Sequence, residues 1–279
     1  MPPFFTIITS TYNAADTLPH LLDSLASQTC RDFNWIVQDG ASSDATMQIV
    51  EQYRDRLPEI LADSSKDSGI YEAWNKAIDR WQDKMGEWVL FLGADDTLYD
   101  SQVLEKVKNK LSGISKSILF ASGDMNLVDL AGEIISTRKV TNSYTTFKRR
   151  TYRMPVNHPA FFTRKEIIVK YRFDTSFKIS GDYEFLIRSW QNHIQMVPLE
   201  ILVTCMSVGG ISSREYSRYL NINENIKIFK RYKFIKGYIW CLDSYIYTYK
   251  ILTKSVLMKN KLGKIVWSYL KALKNTILP

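Results

Sequence analysis

Cysteine is scarce in this chain: three residues in 279, at positions 30, 205 and 241. They have neither the paired spacing of a zinc site nor the density of a secreted disulfide scaffold, so a reducing, cytosolic setting is the simplest expectation. Internal repeats and low-complexity segments are also lacking. Nor is there a long uninterrupted apolar run. The opening Met-Pro-Pro-Phe-Phe-Thr-Ile-Ile has no basic leader and is only strand-length before Ser10 and Asn13 interrupt it, so it reads as a first core strand. Phe234 to Leu252 is apolar and aromatic, but Lys236, Asp243 and Lys250 break it up, and no membrane-spanning segment is expected. Negative charge is short only at one end. Residues 213 to 279 hold 14 Lys/Arg against 3 Asp/Glu, while the first 212 hold 23 against 26.

What is present is a 45% hydrophobic chain, enough for one large α/β domain over residues 1 to 213 and a basic, aromatic helical extension over 214 to 279. Phe4 to Thr9 and Phe33 to Gln38 are short β-branched or aromatic runs bounded by polar residues, as buried strands are. Between them Leu18, Leu21, Leu22 and Leu25 fall on one helical face. A further helix starts near Asp44, which can cap it, and another presents Ile70, Ala73, Trp74, Ala77, Ile78 and Trp81 before the strand Trp88 to Leu92. This alternation predicts a mostly parallel central sheet flanked by helices, with ligands beyond the carboxyl ends of its strands. Ile118 to Val128 and Ile134 to Val140, around a turn at Asp129 to Gly132, predict an added hairpin. Thr141 to Arg153 reads as a surface loop.

The polar residues after each strand are therefore the ones that carry chemistry. Ser10-Thr11-Tyr12-Asn13 follows the first strand and Asp39-Gly40-Ala41-Ser42-Ser43-Asp44 the second. A carboxylate there can accept the imide hydrogen of uracil and a neighbouring aromatic can stack on the base; plain turn chemistry is the alternative. Asp95 and Asp96 stand directly after a continuous hydrophobic strand. Paired hard oxygen ligands suit Mg²⁺ or Mn²⁺ and a diphosphate, although one acid could instead cap the helix beginning near Ser101. Asp182, before Phe185-Leu186-Ile187, is either a helix cap or a general base. His158, between Asn157 and Pro159, is either a structural histidine or a ligand.

Taken together these segments resemble family-two glycosyltransferases of the GT-A fold, especially bacterial capsule, O-antigen and exopolysaccharide (colanic-acid-type) enzymes, over about residues 4 to 213. Ser10-Thr11-Tyr12-Asn13 is similar to the family's Pro-Thr-Tyr-Asn, and Asp39-Gly40 with Ser43-Asp44 to its Asp-Asp-Gly-Ser-Thr-Asp. Asp67-Ser68-Gly69-Ile70-Tyr71-Glu72-Ala73-Trp74-Asn75-Lys76 is similar to the subgroup signature Asp-x-Gly-Ile-Tyr-Asp-Ala-Met-Asn-Lys. The resemblance implies a donor site that includes Ser10 and Tyr12, a uracil contact for Asp39, and places for Asp67 and Lys76 near the nucleotide or its phosphates. It implies that Asp95 approaches ribose, Asp96 holds Mn²⁺ or Mg²⁺, Asp182 is the catalytic base and His158 lies on the acceptor side. Val208-Gly209-Gly210-Ile211-Ser212 resembles a glycine-rich segment of the same subgroup. Gly93, Gly181 and Gln38 depart from the pattern, each replacing an acid.

The expected activity is inverting transfer of a hexosyl or N-acetylhexosaminyl group from a nucleotide-diphospho-sugar, a UDP-sugar above others, to an acceptor hydroxyl. The resemblance implies a glycan or lipid-linked acceptor in surface polysaccharide synthesis. The basic tail suits an anionic membrane surface, making the protein cytoplasmic and peripheral on the inner face of the plasma membrane. Two other classes stay open: a non-catalytic nucleotide-sugar-binding homologue, and nucleic-acid binding through the tail, which carries no recognisable nucleic-acid motif.

Overall fold

A computed structural model of the chain describes residues 2–140, 154, 156–190, 195–208 and 215–233. Met1–Ser213 forms one compact unit and Arg214–Pro279 a second, of which one helix, Glu215–Tyr232, is described. The loop Thr141 to Arg153, the glycine-rich residues 209 to 212 and the tail beyond Lys233 lie outside the described residues. Among the described residues no helix is long and apolar enough to cross a membrane. Cys30 and Cys205 are free thiols.

Four strands, β1 (Phe5–Thr11), β2 (Phe33–Asp39), β3 (Ile60–Ser64) and β4 (Trp88–Phe91), pair in parallel in the order β3-β2-β1-β4. Every residue of β2 and all but Ser10 of β1 are buried, as expected for parallel strands covered on both faces. Helix α1 (Leu18–Ala26) buries Leu18, Leu21, Leu22 and Leu25 completely, each contributing about 2 kcal/mol of apolar transfer. Helix α2 (Thr46–Gln52) follows β2; its N-cap is Ala45, and Asp44, expected to cap it, stands one residue earlier, where its Oδ1 accepts the Thr46 amide at 3.0 Å. Helix α3 (Ile70–Trp81) packs on β1 and β2 through Tyr71, Ala73, Trp74, Ala77 and Ile78. It can begin where it does because Gly69 adopts φ 138°, ψ 177°, a region open essentially to glycine alone.

β1 runs two residues beyond its predicted end and β2 one. The register continues through Ser10↔Gln38 and Thr11↔Asp39, so Ser10 lies within the strand.

Beyond β4 the sheet becomes mixed. Strand β5 (Asp96–Leu98) and helix α4 (Val103–Leu111) come next in the chain, followed by β6 (Ile118–Val128) and β7 (Ile134–Arg138), which form the expected antiparallel hairpin. β8 (Phe161–Arg164) lies antiparallel between β4 and β6, and β9 (Gln195–Ser207) pairs parallel with β6 and antiparallel with β5. The mostly parallel expectation thus describes β3-β2-β1-β4, whereas β8, β7 and β5 run the other way. This reversal matters for the site. A strand antiparallel to β4 starts at the edge where β4 ends, so the residues just before β8, His158 among them, arrive at the carboxyl edge. Helices α5 (Lys165–Tyr171) and α6 (Gly181–Trp190) complete the first unit.

Candidate active site

Thr11, Asp39 and Ser64 are the last residues of three adjacent strands and lie in one register row. The Asp39 carboxylate is fully buried and ties that row together. Its Oδ1 accepts from Thr11 Oγ1 at 2.9 Å and Ser42 Oγ at 2.5 Å; its Oδ2 accepts from the Ser42 amide at 2.8 Å and Ser64 Oγ at 2.7 Å. Burial works to raise its pKa, but the donors from Ser42, Ser64 and Thr11 outweigh it and hold the group below the usual carboxylate value. The loops after β1 and β2 are laced to each other: Asn13 Oδ1 accepts the Ser43 amide and Asp44 Oδ2 the Ala15 amide. Tyr12 stands out of this lattice, 70% exposed.

The loop after β3 is braced at both ends. Asp67 Oδ1 accepts the Gly69 amide at 2.9 Å, Glu72 Oε2 accepts the Ser68 amide at 2.8 Å, and Lys178 Nζ donates to Ser68 O at 2.6 Å. Lys76 donates to the Lys66 carbonyl and pairs with Glu72 at 3.3 Å. Lys76 therefore supports the loop that carries Asp67.

Asp95 and Asp96 converge. A Cβ built on Gly93 would lie 2.8 Å from Asp95 Oδ1 and 3.0 Å from Asp96 Oδ2, so the missing acid at 93 is the room into which the other two point. Asp96 Oδ2 accepts the Gly93 amide at 2.8 Å. Burial, then repulsion from Asp95, push Asp96 up to about 7. Asp96 lies in β5 and does not cap the following helix, whose N-cap is Gln102 and whose Leu104 amide is accepted by Gln28 Oε1 at 3.1 Å. Among the described residues no group of three or more His, Cys, Asp or Glu is arranged to hold a metal. Two carboxylates nevertheless fit Mg²⁺ or Mn²⁺, which are characteristically held by one or two protein acids with substrate phosphates and water.

Asp182 opens α6. Its Oδ1 accepts from the Tyr183 amide at 2.8 Å and from Tyr71 Oη at 3.3 Å, while no hydrogen bond from the described residues reaches Oδ2. The Tyr71 ring fills the space beside Gly181, where a Cβ would come within 2.6 Å of it; glycine at 181 goes with that packing. His158 lies close enough to feel the Asp182 charge, but burial dominates and holds its pKa below the ordinary imidazole value. Its ring stacks on Trp74 with centroids 5.3 Å apart and lies 6.0 Å from Phe91. Trp74, Phe91 and Phe173 pack together beneath it. Glu184, two residues further on, is fully buried and holds Arg188 through both oxygens.

The loops after β1, β2, β3 and β4 and the turn before β8 lie at one edge of the sheet, and Asp182 is joined to them through Tyr71 at the start of α3. A shallow cavity of about 390 Å³, lined by Pro3, Phe4, Asp32, Gly86, Glu87 and Lys165, opens at the amino ends of the same strands, and none of the candidate site residues lines it. The family described as Glycosyl transferase family 2 matches residues 6–172, which span β1 through α5 and include the three braced loops and the acid pair. The chain is a family-two glycosyltransferase.

This glycosyltransferase is 32% identical over 195 residues to a PGL/p-HBAD biosynthesis glycosyltransferase of Mycobacterium tuberculosis, covering 68% of this chain and 71% of that one. Its fold is that of S. aureus TarS 1–349 in complex with UDP-GlcNAc (TM-score 0.61, 20% identity, 82% of this chain and 66% of that chain). It is also that of the mannosyltransferase PcManGT from Pyrobaculum calidifontis in complex with GDP-Man and Mn²⁺ (TM-score 0.62, 17% identity, 98% and 81%). The expected GT-A architecture is therefore the one found. Sequence reasoning did not single out Thr11, Ser42 and Ser64, which saturate Asp39, or the Tyr71, Trp74, Phe91 and Phe173 group around His158. Hydroxyl residues at successive strand ends were the available signal for the first set. The second was hidden, because Tyr71 and Trp74 read equally well as an ordinary helix face.

Proposed function

We propose that this glycosyltransferase moves a sugar from a UDP-linked donor to an acceptor hydroxyl with inversion at the anomeric carbon. The observation that carries the reading is the half-buried Asp182 carboxylate, with one oxygen unclaimed among the described residues, held against Tyr71 at the start of the helix that follows the Asp67 loop. Ser10 and Tyr12 belong to the base end of the donor site; Asp67, with Lys76 behind it, borders the nucleotide; Asp95 faces the ribose. Asp182 Oδ2 takes the proton of the acceptor hydroxyl as its oxygen bonds to the anomeric carbon and the bond to the diphosphate breaks. The aromatic floor under His158 gives the acceptor sugar an apolar face to lie on. His158, neutral at pH 7, adds a hydrogen-bonding group without adding charge. Mn²⁺ or Mg²⁺ would be held by Asp96 with Asp95 beside it, and when bound it offsets the negative charge of the departing diphosphate.

Purified chain with Mn²⁺ and a panel of nucleotide-sugars tests this directly. UDP-sugars are expected to be hydrolysed slowly without acceptor, and other donors much less. UDP-sugars bound but neither hydrolysed nor transferred would favour a binding homologue without turnover, and a panel in which no donor is bound would overturn the donor reading.

A lipid-linked acceptor in surface polysaccharide synthesis, met at the inner face of the plasma membrane, is the finer part of the proposal. It rests on the resemblance to capsule and O-antigen enzymes and on the basic tail, where Lys259, Lys261, Lys264, Lys271 and Lys274 surround Ile265, Trp267, Tyr269 and Leu270. Each basic residue near an anionic leaflet contributes on the order of 1 kcal/mol. The full chain is expected to sediment with anionic but not neutral liposomes, and a truncation after Asn260 to remain in the supernatant.

A further inference from the structure

Phe173 follows the end of α5 and is clamped from two other helices. From α3, the Asn75 side chain pairs with its main chain as a neighbouring strand would: Nδ2 donates to Phe173 O at 2.8 Å and Oδ1 accepts the Phe173 amide at 2.9 Å. From α6, Arg188 donates to the carbonyls of Tyr171 at 2.5 Å and Arg172 at 2.8 Å, groups of the kind that a helix end leaves without helical partners. The Arg172 guanidinium reaches back to α3 and meets Asp79 at 3.0 Å. Between these clamps Arg172 adopts φ 49°, ψ 171°, a conformation that residues other than glycine keep only where their surroundings over-determine it.

What the strained turn delivers is the Phe173 ring, a buried wedge between the helix that follows the Asp67 loop and the helix that carries Asp182. On the α3 side it stacks on Tyr71 with centroids 5.8 Å apart and meets Trp74 at 5.0 Å; on the α6 side it stacks on Phe185 at 4.7 Å. Phe91 closes it edge-on against β4 at 5.2 Å. Phe185 stands three residues after Asp182, on the same face of α6. The thickness and tilt of this one ring therefore set how Asp182 meets Tyr71, whose Oη lies 3.3 Å from Asp182 Oδ1.

Resting on the reading of Asp182 as the base, we propose that Asn75 is a positioning residue for the transfer step: by pinning the main chain of Phe173 it fixes the ring that spaces α6 from α3, and so places the Asp182 carboxylate relative to the Asp67 loop. Asn75 acts through Phe173 and needs no contact with substrate. Its amide is suited to the task because it donates and accepts at once. Asn75→Ala removes both bonds and leaves the main-chain groups of a buried residue unpaired. The ring is then free to shift, and a displacement of about 1 Å at a reacting group can cost up to about a hundredfold in rate.

Turnover per occupied donor site separates positioning from folding. Wild type, Asn75→Ala, Phe173→Leu, Leu25→Ala and Asp182→Asn are compared in Mn²⁺ buffer, each below its own unfolding temperature. Calorimetric titration with UDP gives site number and affinity, and hydrolysis of the UDP-sugar turned over fastest in the donor panel gives the rate. Asn75→Ala is expected to bind UDP with unchanged stoichiometry and an affinity within about threefold of wild type, while turnover per site falls by about 10- to 100-fold. Phe173→Leu keeps the Asn75 side chain but thins the wedge; it is expected to show the same split and carries the test if Asn75→Ala fails to fold. Leu25→Ala opens a cavity beside α1 and is expected to lower the unfolding temperature while keeping wild-type turnover per site. Wild-type turnover per site in Asn75→Ala or Phe173→Leu, an equal loss in Leu25→Ala, or UDP affinity falling in step with turnover overturns this inference alone. Wild-type turnover in Asp182→Asn overturns the base assignment beneath it. A wild type that binds UDP but hydrolyses no UDP-sugar overturns the transferase reading as well.

Discussion

Asp182→Asn is expected to lower sugar transfer by at least about a hundredfold, the scale of a lost general base, while donor affinity stays nearly intact. The amide keeps the size of the side chain, and its oxygen can still accept from the Tyr183 amide and Tyr71 Oη. The helix start and the Tyr71 packing therefore survive, and only proton acceptance is lost. Donor affinity measured by calorimetry and transfer measured with saturating donor distinguish this outcome from a folding defect. Transfer at the wild-type rate would mean that Asp182 is a structural acid. Glu184 could not then take over, since it is sealed from solvent and held by Arg188. His158 would be next, because its lowered pKa leaves it unprotonated at neutral pH.

The sequence was most legible where burial alone decides the pattern. β2 is covered on both faces and α1 presents four leucines on one side, so their apolar spacing was unambiguous. The acids after β4 could be singled out because a charged pair directly after a buried strand has few structural excuses. The direction of β8 was not legible. Phe161–Arg164 is buried at every residue, and a four-residue buried strand carries no sign of whether it will pair parallel or antiparallel. Yet that direction is what brings His158 to the edge where the β4 acids lie. Saturation of Asp39 was equally invisible, because it depends on hydroxyls that come from positions 11, 42 and 64 and meet only once the strands are in register.

Asp96→Asn is expected to remove metal dependence from donor binding and, in metal-free protein above pH 7, to stabilise the fold. The sign follows from linkage. Asp96 titrates at about 7 when folded against a reference value of 3.8, so between roughly pH 4 and 7 the folded state holds a proton that the unfolded state has released. The favourable contribution of that proton is complete below the unfolded pKa and is lost as pH rises through 7, where the folded protein must carry a buried charge facing Asp95. The amide carries no such charge, and its oxygen can still accept the Gly93 amide, so the variant avoids a penalty on the order of 1 to 4 kcal/mol. A cation at the acid pair removes the same penalty in the wild type, because it favours the ionised form. Thermal unfolding at pH 5 and pH 8, with and without Mn²⁺ and UDP, reads both halves. The wild type is expected to gain stability from Mn²⁺ and UDP at pH 8 and little at pH 5, where protons compete for Asp96. The variant is expected to gain nothing from Mn²⁺ at either pH and to exceed metal-free wild type at pH 8. Equal Mn²⁺ dependence in the two proteins would remove Asp96 from the metal site; a variant no more stable than wild type at pH 8 would mean that Asp96 is already relieved of its charge by another group.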